Sequence, residues 1–283
     1  MAGRIAPLDI SASTFDEMTR ALPQGFYTTF TTLAGGTRAL GLRSHLQRLY
    51  VPAHELGLRP GVDEKTLRER LALLVKENLP KESRLRLILT KEKGEVYVGV
   101  EPFNPLPESV YRKGVRVVTT EMARHDPRIK DTAFIAESLA QRKLLGGDIF
   151  EVLLTRNGKI LEGMTSNFYA VFSVPQDLSC APGNSQNEFC SALVTARTGI
   201  LLGVTRRVAL RLARGEGLRI EYRAPRLDED FVEAFLTSSS RGIVPIVMID
   251  GKSVGQGRVG EVTKRLSQAY TAYLQQHAEP FGA

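Results

Sequence analysis

The sequence has few cysteines and no long apolar run, and both features narrow the class of protein. Its 283 residues include two cysteines, Cys180 and Cys190, whose surroundings show neither metal-ligand spacing nor a disulfide framework. No stretch of roughly 18 apolar residues occurs, and the N-terminal segment lacks the apolar centre of a signal peptide. We therefore expect a soluble cytoplasmic protein with no membrane partner and no chemical role for the thiols.

Most motifs that identify common active sites are also missing. The four histidines, at positions 45, 54, 125 and 277, show neither an HExxH pattern nor Cys/His ligand spacing, so we expect no metal site. The chain has no P-loop, no GxGxxG after a predicted strand and no GxSxG motif. No single motif therefore identifies the reaction that the protein catalyses.

The charge balance is moderately positive, with 38 Lys and Arg against 31 Asp and Glu and a formal net charge of +7. The basic residues are scattered among glutamates and leucines at helical spacing and do not form one stripe. Because this distribution is typical of solvated helix faces, nucleic-acid binding is a remote alternative and we expect no nucleic-acid partner. The positive balance also suits an anionic cofactor or substrate.

Composition and element pattern predict a two-domain protein of mixed α/β class. The chain is 42% hydrophobic and 24% charged, which is ordinary for globular proteins, and its length allows two compact domains. Residues 1–103 are expected to form a smaller α/β domain, the proline-rich segment 104–114 an interdomain linker, and residues 115–283 a larger domain. Residues 173–192, rich in Ser, Pro, Asn and Gln, are interpreted as an insertion.

Apolar periodicity and turn residues predict the elements of the first domain. Hairpin turns are expected at residues 34–36 and at residues 93–94. Ser44 is expected to cap a helix that stops at Gly57. A second helix should run from Asp63 to about Asn78.

In the second domain, two buried strands are expected on either side of a helix at residues 132–145. A hairpin should turn at Asn157-Gly158. One helix is expected to start near Thr205, and a final amphipathic helix should cover residues 259–274.

Glu162 interrupts an otherwise apolar strand pattern. In GKILEGMTSNFYAVF, residues 158–172, strand alternation places Glu162 on the face of Ile160 and Met164. A carboxylate on an apolar face needs a partner. A surface strand with a solvated glutamate is the alternative, since most glutamates are exposed.

Other residues could bind or transform a charged ligand. Lys130 lies beside apolar residues in HDPRIKDTAF, where a lysine can act as an amine nucleophile or can simply be solvated at a helix start. Thr205 follows Gly203-Val204 at a predicted helix start, and the run Thr237 to Ser240 follows a strand end. Either group could bind an anion, or form an ordinary N-cap or turn.

Three arginines could likewise either bind a ligand or simply face solvent. Arg48 belongs to a helix that packs through leucines, and it could reach a cleft or solvent. Arg84 and Arg86 alternate with leucines, so one face of that strand is basic and could meet a substrate carboxylate or water.

Six segments, which contain most of the residues named above, follow one another along the chain in this order: GFYTTF, HLQRL, IKDTAF, EVLLTRNGKILEGMTSNF, ILLGVTR and FLTSSSRGIVPI. In that order the sequence resembles the class IV, fold-type IV family of pyridoxal-phosphate enzymes, from about Gly25 to Gly260. The family includes branched-chain aminotransferases, D-amino-acid aminotransferases and 4-amino-4-deoxychorismate lyases. The resemblance implies a smaller N-terminal α/β domain and a larger C-terminal pseudo-barrel domain that binds pyridoxal 5'-phosphate (PLP).

By this resemblance, Lys130 matches the lysine that forms a Schiff base with PLP, and Glu162 matches the partner of the pyridine nitrogen. The residues that match the phosphate-binding group are Arg48, Val204, Thr205, Ser239 and Ser240. Tyr27 matches an aromatic position of the substrate pocket, and Arg86 is interpreted as a second substrate-binding residue.

The implied reaction is transfer of an amino group from an amino acid or amine to a 2-oxo acid by a homodimer. The alternative reaction in the same family is cleavage of 4-amino-4-deoxychorismate to pyruvate and 4-aminobenzoate.

Two departures from the family pattern leave the substrate open. Ile135 stands where branched-chain enzymes usually have a tyrosine, which favours the D-amino-acid and lyase branches. The Arg-x-His pair typical of D-amino-acid enzymes is not visible after LRLILTKEKGEV. The donor, the acceptor and the stereochemical preference are therefore not predicted.

Overall fold

The computed structural model describes residues 5–174 and 190–281, so most of the predicted insertion, with Cys180, lies outside the described residues. The helices are α1 Phe15–Ala21, α2 Leu42–Glu55, α3 Glu64–Lys76, α4 Glu108–Lys113, α5 Ala133–Glu137, α6 Leu139–Arg142, α7 Val204–Gly215 and α8 Glu261–His277. The strands are β1 Gly25–Leu33, β2 Arg38–Leu40, β3 Ser83–Thr90, β4 Val96–Pro102, β5 Val115–Glu121, β6 Ile149–Arg156, β7 Lys159–Gly163, β8 Asn167–Val174, β9 Cys190–Thr195, β10 Arg219–Tyr222, β11 Glu233–Ser238, β12 Gly242–Ile249, β13 Lys252–Ser253 and β14 Ala278–Pro280.

Unit 1 consists of Met1–Pro105, Ile129–Leu139 and Leu274–Ala283. Its described residues form an antiparallel sheet in the order β14-β2-β1-β3-β4. Side chains alternate along β1 and β3, so Phe26, Phe30 and Leu87 enter a core under α2 and α3. Burying each such side chain contributes about 1.5–3 kcal/mol.

The opposite face of this sheet carries a second apolar cluster. Tyr27 and Ile88 pack there with Phe15 and Met18 of α1 and with Ile135 of α5. Both faces of the sheet are therefore covered, one by α2 and α3 and the other by α1 and α5.

Unit 2 consists of Leu106–Arg128 and Ala140–Tyr273. Among its described residues, strands form one large mixed sheet in the order β10-β9-β8-β11-β12-β5-β6-β7, with β13 beside β12. Because β7 also pairs with β8, the strands from β8 round to β7 close into a barrel-like ring. Its core includes Leu153, Phe168 and Leu236. The fold is of the mixed α/β class that the sequence predicts.

The two units are built from separate chain segments, whereas the predicted domains 1–103 and 115–283 are contiguous ranges with a linker at 104–114. Those ranges stay a prediction. Residues 108–113 of the proposed linker form α4, and the Tyr111 hydroxyl donates to the Arg241 carbonyl (2.9 Å) within unit 2.

The turn at Asn157-Gly158, the end of α2 and the start of α3 are confirmed, whereas the predicted start of α2 is not. Asn157 (φ 53°) and Gly158 (φ 71°) turn the β6–β7 hairpin, Gly57 (φ 70°) ends α2, and Asp63 caps α3 through Thr66 N–H (2.8 Å). The prediction that Ser44 caps α2 is wrong. The helix begins at Leu42, because Gly41 adopts a left-handed conformation (φ 62°) that turns the chain directly from β2 into the helix.

Two predicted helices differ in extent. The helix expected at residues 132–145 is two short helices, α5 and α6, separated at Ser138, whose hydroxyl donates to the Phe134 carbonyl (2.6 Å). The last helix, α8, is shifted slightly along the chain from the predicted residues 259–274. No helix in the described ranges combines the length and apolar character needed to cross a bilayer.

Candidate active site

The main chain around Lys130 is paired with the start of β1. Tyr27 N–H donates to the Lys130 carbonyl (2.9 Å), Thr132 N–H donates to the Gly25 carbonyl (2.9 Å), and Gly25 N–H donates to the Thr132 hydroxyl (2.9 Å). A Cβ at Gly25 would lie 2.2 Å from the Leu89 carbonyl oxygen, so only glycine allows this close approach. The backbone position of Lys130 is thereby fixed.

The side chain of Lys130 lies half-buried over an aromatic ring. Its Nζ is 4.7 Å from the centroid of Tyr27, and the Arg86 guanidinium carbon is 5.1 Å from the same centroid. Tyr27 is buried. Three residues predicted for the site, on three different chain segments, therefore meet in unit 1.

Ile135 is fully buried in the same apolar cluster as Tyr27 and Ile88. It offers no hydroxyl at the position where branched-chain enzymes carry tyrosine, as the sequence indicated.

Arg86 is enclosed by α1, which sequence reasoning did not connect with it. Its Nη1 donates to Asp16 (2.6 Å) and Thr19 (3.1 Å), and its Nε donates to Thr29 (3.0 Å). The Phe15 ring lies 5.3 Å from the guanidinium carbon. The alternative of a solvated basic face is therefore wrong for Arg86, whereas Arg84 is partly exposed and pairs with Glu101 (2.8 Å).

In unit 2, Glu162 is buried and paired with a cation. Arg124 Nε donates to Oε1 (2.8 Å), and Leu201 N–H donates to Oε2 (3.1 Å). Arg124 Nη2 also donates to the Met164 carbonyl (2.8 Å), which holds the guanidinium in place. Since Glu162 is only 1% exposed, the solvated-glutamate alternative is wrong. Arg124 was missed because it lies outside any regular element and carries no local signal.

The predicted face of Glu162 needs a correction. Thr155 pairs with Ile160, but Leu154 pairs with Glu162, so Leu161 is an extra residue that breaks the two-residue alternation. Ile160 packs in the barrel core, whereas Leu161 packs against Ile200. The irregularity separates Glu162 from the face of Ile160 and brings it to the loop that precedes α7.

The start of α7 presents amides and hydroxyls. Its N-cap is Gly203, which has no side chain to accept from the first-turn N–H groups. Thr205 is buried and donates weakly to the Ser239 hydroxyl (3.5 Å), and Ser240 follows, half-buried. Backbone N–H groups and hydroxyls at a helix start favour an anion.

Tyr270 of α8 is buried near the Thr205 side chain at this helix start. Burial raises the pKa of Tyr270 to about 12, so the phenol stays neutral.

Asn167 connects Glu162 with the start of α7. Its Nδ2 donates to the Leu201 carbonyl (2.7 Å), and its Oδ1 accepts from Gly203 N–H (3.2 Å). Asn167 is also the β8 partner of Glu162. The residue stands in the EGMTSN segment, so its position was visible in the sequence although its role was not.

A second buried carboxylate fixes the loop beside Ser239. Glu151 is fully buried and accepts from Thr165 (2.6 Å), Ser166 (3.2 Å) and Arg241 (2.9 Å). Arg241 also donates to Ser238 (3.1 Å). The turn after β7 and the turn after β11 are thereby joined.

The two units offer different groups. Unit 1 holds Lys130, Tyr27 and Arg86, with Arg48 half-buried in α2. Unit 2 holds the Glu162 carboxylate and the start of α7. In the ranges that the structure describes, no group of three or more His, Cys, Asp and Glu residues is suited to a metal ion.

Comparison with known proteins agrees with these features. The family model for amino-transferase class IV matches residues 25–249. D-alanine aminotransferase from Bacillus licheniformis is 30% identical over 242 residues, which cover 81% of this chain and 80% of that protein. Branched-chain-amino-acid aminotransferase from Pseudomonas aeruginosa is 25% identical over 260 residues, covering 83% and 78%.

The fold has solved counterparts as well. A provisionally assigned branched-chain amino acid aminotransferase from Thermotoga maritima aligns with a TM-score of 0.76 at 25% identity, covering 96% of this chain and 94% of that one. The family model spans well over half of the chain, and the described fold agrees with it. The chain therefore belongs to the class IV aminotransferase family.

Proposed function

We propose that this class IV aminotransferase uses Lys130 and Glu162 as the groups that act on its cofactor and substrate. The cofactor is PLP, and the reaction moves an amino group between an amino acid and a 2-oxo acid. The lyase alternative is not favoured over transamination. The observation that carries the assignment is the buried Glu162 carboxylate, which Leu201 and Asn167 connect to the start of α7.

The residues present fit PLP. Glu162 Oε1 accepts from Arg124 and Oε2 accepts from Leu201 N–H, and a carboxylate has about four acceptor positions in all, so its chemistry suits a ring N–H as well. The phosphate suits the first-turn amides at Val204 and Thr205 and the hydroxyls of Thr205, Ser239 and Ser240. We assign Arg48 as the phosphate's cationic partner.

When bound, PLP supplies an electron sink for charge that develops on the α-carbon of the amino acid. Glu162 holds a proton on the ring nitrogen, because its negative charge favours the cationic ring. Lys130 Nζ would hold the cofactor and, as an amine base, would move a proton from the substrate α-carbon to the cofactor. The Tyr27 ring lies 4.7 Å from Nζ and covers one side of it.

We also propose that the enzyme works in the cytoplasm as a homodimer, with amino acids and 2-oxo acids as its partners. These proposals are supported by the family resemblance.

The lysine assignment is tested by covalent attachment. Protein loaded with PLP should show a visible absorbance band that borohydride removes, and peptide mapping should place the reduced adduct on Lys130. Lys130→Ala should lose the adduct and most of the turnover, by a factor on the order of 1,000 or more.

Lys91→Ala is the matched control, because Lys91 is also half-buried in unit 1 and its Nζ also lies near an aromatic ring, that of Phe26 (5.4 Å). It should keep the adduct. An adduct that persists in Lys130→Ala but disappears in Lys91→Ala would show that the wrong lysine was assigned.

A further inference from the structure

The basic face of β3 carries a carboxylate of its own chain. Arg86 projects from β3, and the first turn of α1 places Asp16 on its Nη1 at 2.6 Å. The Arg86 side chain is 8% exposed and the Asp16 side chain 29%, so the cation of this ion pair is buried and its carboxylate is partly exposed. The Asp16 carboxylate already compensates the positive charge of Arg86, so a substrate anion near Arg86 is attracted only weakly.

We propose that Asp16 is a specificity-determining residue, which neutralises Arg86 and so selects amino acids and 2-oxo acids with uncharged side chains over dicarboxylic ones. This proposal rests on the proposed function, since it assumes that substrate reaches Lys130 and Arg86.

Arg86 is close enough to the reactive lysine to act on a substrate. The Tyr27 ring has the Arg86 guanidinium carbon at 5.1 Å and Lys130 Nζ at 4.7 Å from its centroid. Arg86 donates through Nε and Nη1, so among the described residues Nη2 has no hydrogen-bond acceptor. That nitrogen is the position at which a second carboxylate of a substrate would bind.

The rest of the surroundings favours apolar side chains. Tyr27, Ile88, Ile135 and Phe15 form one buried cluster beside Arg86. An anion held near Nη2 would lie next to the Asp16 carboxylate, and like charges at such a separation repel strongly in a partly buried site. An aliphatic side chain meets no such repulsion and gains from burial.

Asp16 is held in place by the packing of α1. Phe15 and Met18 are buried, and both lie against Gly99, where a Cβ would come within 2.8 Å of each side chain. The Thr14 hydroxyl caps the helix by accepting from Glu17 N–H (3.2 Å). The carboxylate is therefore a fixed part of the sheet face.

The test compares binding of two unreactive acids, glutarate with two carboxylates and butyrate with one, to the PLP-loaded enzyme by calorimetry. In Asp16→Asn, glutarate should bind about tenfold more tightly than in the unchanged protein, while butyrate changes by less than about twofold. Adding Arg86→Met should remove the gain. Asp16→Ser is a second variant that should show the same selectivity change.

Glu17→Gln is the matched control, because Glu17 is the neighbouring, exposed acid of the same turn. It should bind both acids like the unchanged protein. Equal changes for glutarate and butyrate in both Asp16 variants, loss of both, or a glutarate gain that survives Arg86→Met would overturn the proposal.

Turnover measurements distinguish a failure of the Asp16 proposal from a failure of the proposed function. The ratio of kcat/KM for 2-oxoglutarate to that for 2-oxobutyrate should rise about tenfold in Asp16→Asn. If the unchanged enzyme transaminates neither oxo acid nor any other, the proposed function fails. If it transaminates and the ratio stays constant, only the role of Asp16 fails.

Discussion

At the residue scale, the hydrogen bonds that Glu162 accepts determine which side chains could substitute for it. Both carboxylate oxygens accept hydrogen bonds, from Arg124 Nε and from Leu201 N–H, and neither donor can accept in return. A buried ion pair of this kind is costly to break, because removing one partner leaves the other charge uncompensated. Arg124 therefore keeps Glu162 in place as an ionised group.

Glu162→Gln should bind PLP but lose turnover by a factor on the order of 100 or more, because a neutral amide cannot hold the ring nitrogen protonated. Glutamine has one acceptor oxygen, so one of the two buried donors also loses its acceptor. The free energy of unfolding should fall by about 1–3 kcal/mol. Stopped-flow single turnovers and thermal melts measure the two effects.

Glu151→Gln is the control for this substitution, because Glu151 is, like Glu162, a fully buried glutamate paired with an arginine in unit 2. It should lose stability by a similar amount, yet keep turnover within about tenfold at saturating PLP. If both variants lose turnover equally, the effect of Glu162 is structural.

At the element scale, α7 has a glycine at each end, and they differ in surroundings. A Cβ on Gly203 would lie 2.4 Å from Asn167 Oδ1, so the helix start and β8 are in close contact there. A Cβ on Gly215, the last residue of α7, would meet nothing within 4 Å. Only the first glycine is required by packing.

Gly203→Ala should weaken PLP binding by about tenfold or more, because the added methyl group displaces Asn167 and with it the first-turn amides. Titration of the apoenzyme with PLP measures the dissociation constant. Gly215→Ala should leave that constant unchanged and raise the free energy of unfolding by about 0.5–1 kcal/mol, since alanine is the better helix former. Equal PLP affinities in the two variants would contradict the proposed phosphate site.

At the scale of the whole molecule, the net charge of +7 is the excess that remains although many basic side chains pair with acidic ones at the surface. Arg223 pairs with Glu229 (2.7 Å), Arg226 with Asp228 (2.7 Å), and Lys264 with Glu261 (2.6 Å). These are exposed pairs that contribute little stability each. Basic and acidic groups are interspersed there, as the sequence indicated, and the positive balance suits a phosphorylated cofactor and anionic acids.

Removing PLP should lower the thermal stability of the whole protein. A ligand present at about 100 times its dissociation constant stabilises the native state by about 2.7 kcal/mol, which corresponds to roughly 5–10 °C in Tm for a chain of this size. Calorimetry of the apo and PLP-loaded forms measures the shift.

Sedimentation equilibrium of the loaded form should give about twice the chain mass of 31.2 kDa, and a fully active monomer would exclude the proposed dimer.

Local sequence patterns were sufficient for many of the turns and helix starts. Asn157-Gly158 specified a hairpin because both residues tolerate positive φ, and Asp63 specified a helix start because its side chain can accept from the first turn. The irregularity at Leu161 was not predictable, since alternation in a strand carries no signal for an extra residue.

By itself, then, the sequence determined the mixed α/β class and the family, because residue type and order along the chain are sufficient for these. The site roles of Lys130, Glu162 and Thr205 stay predictions. Only the tertiary structure decided which groups act as neighbours. Arg124 with Glu162, Asn167 with Gly203, and Asp16 with Arg86 are separated by 38, 36 and 70 residues along the chain. Such pairs form only when strands and loops pack together, and no local sequence pattern predicts that packing.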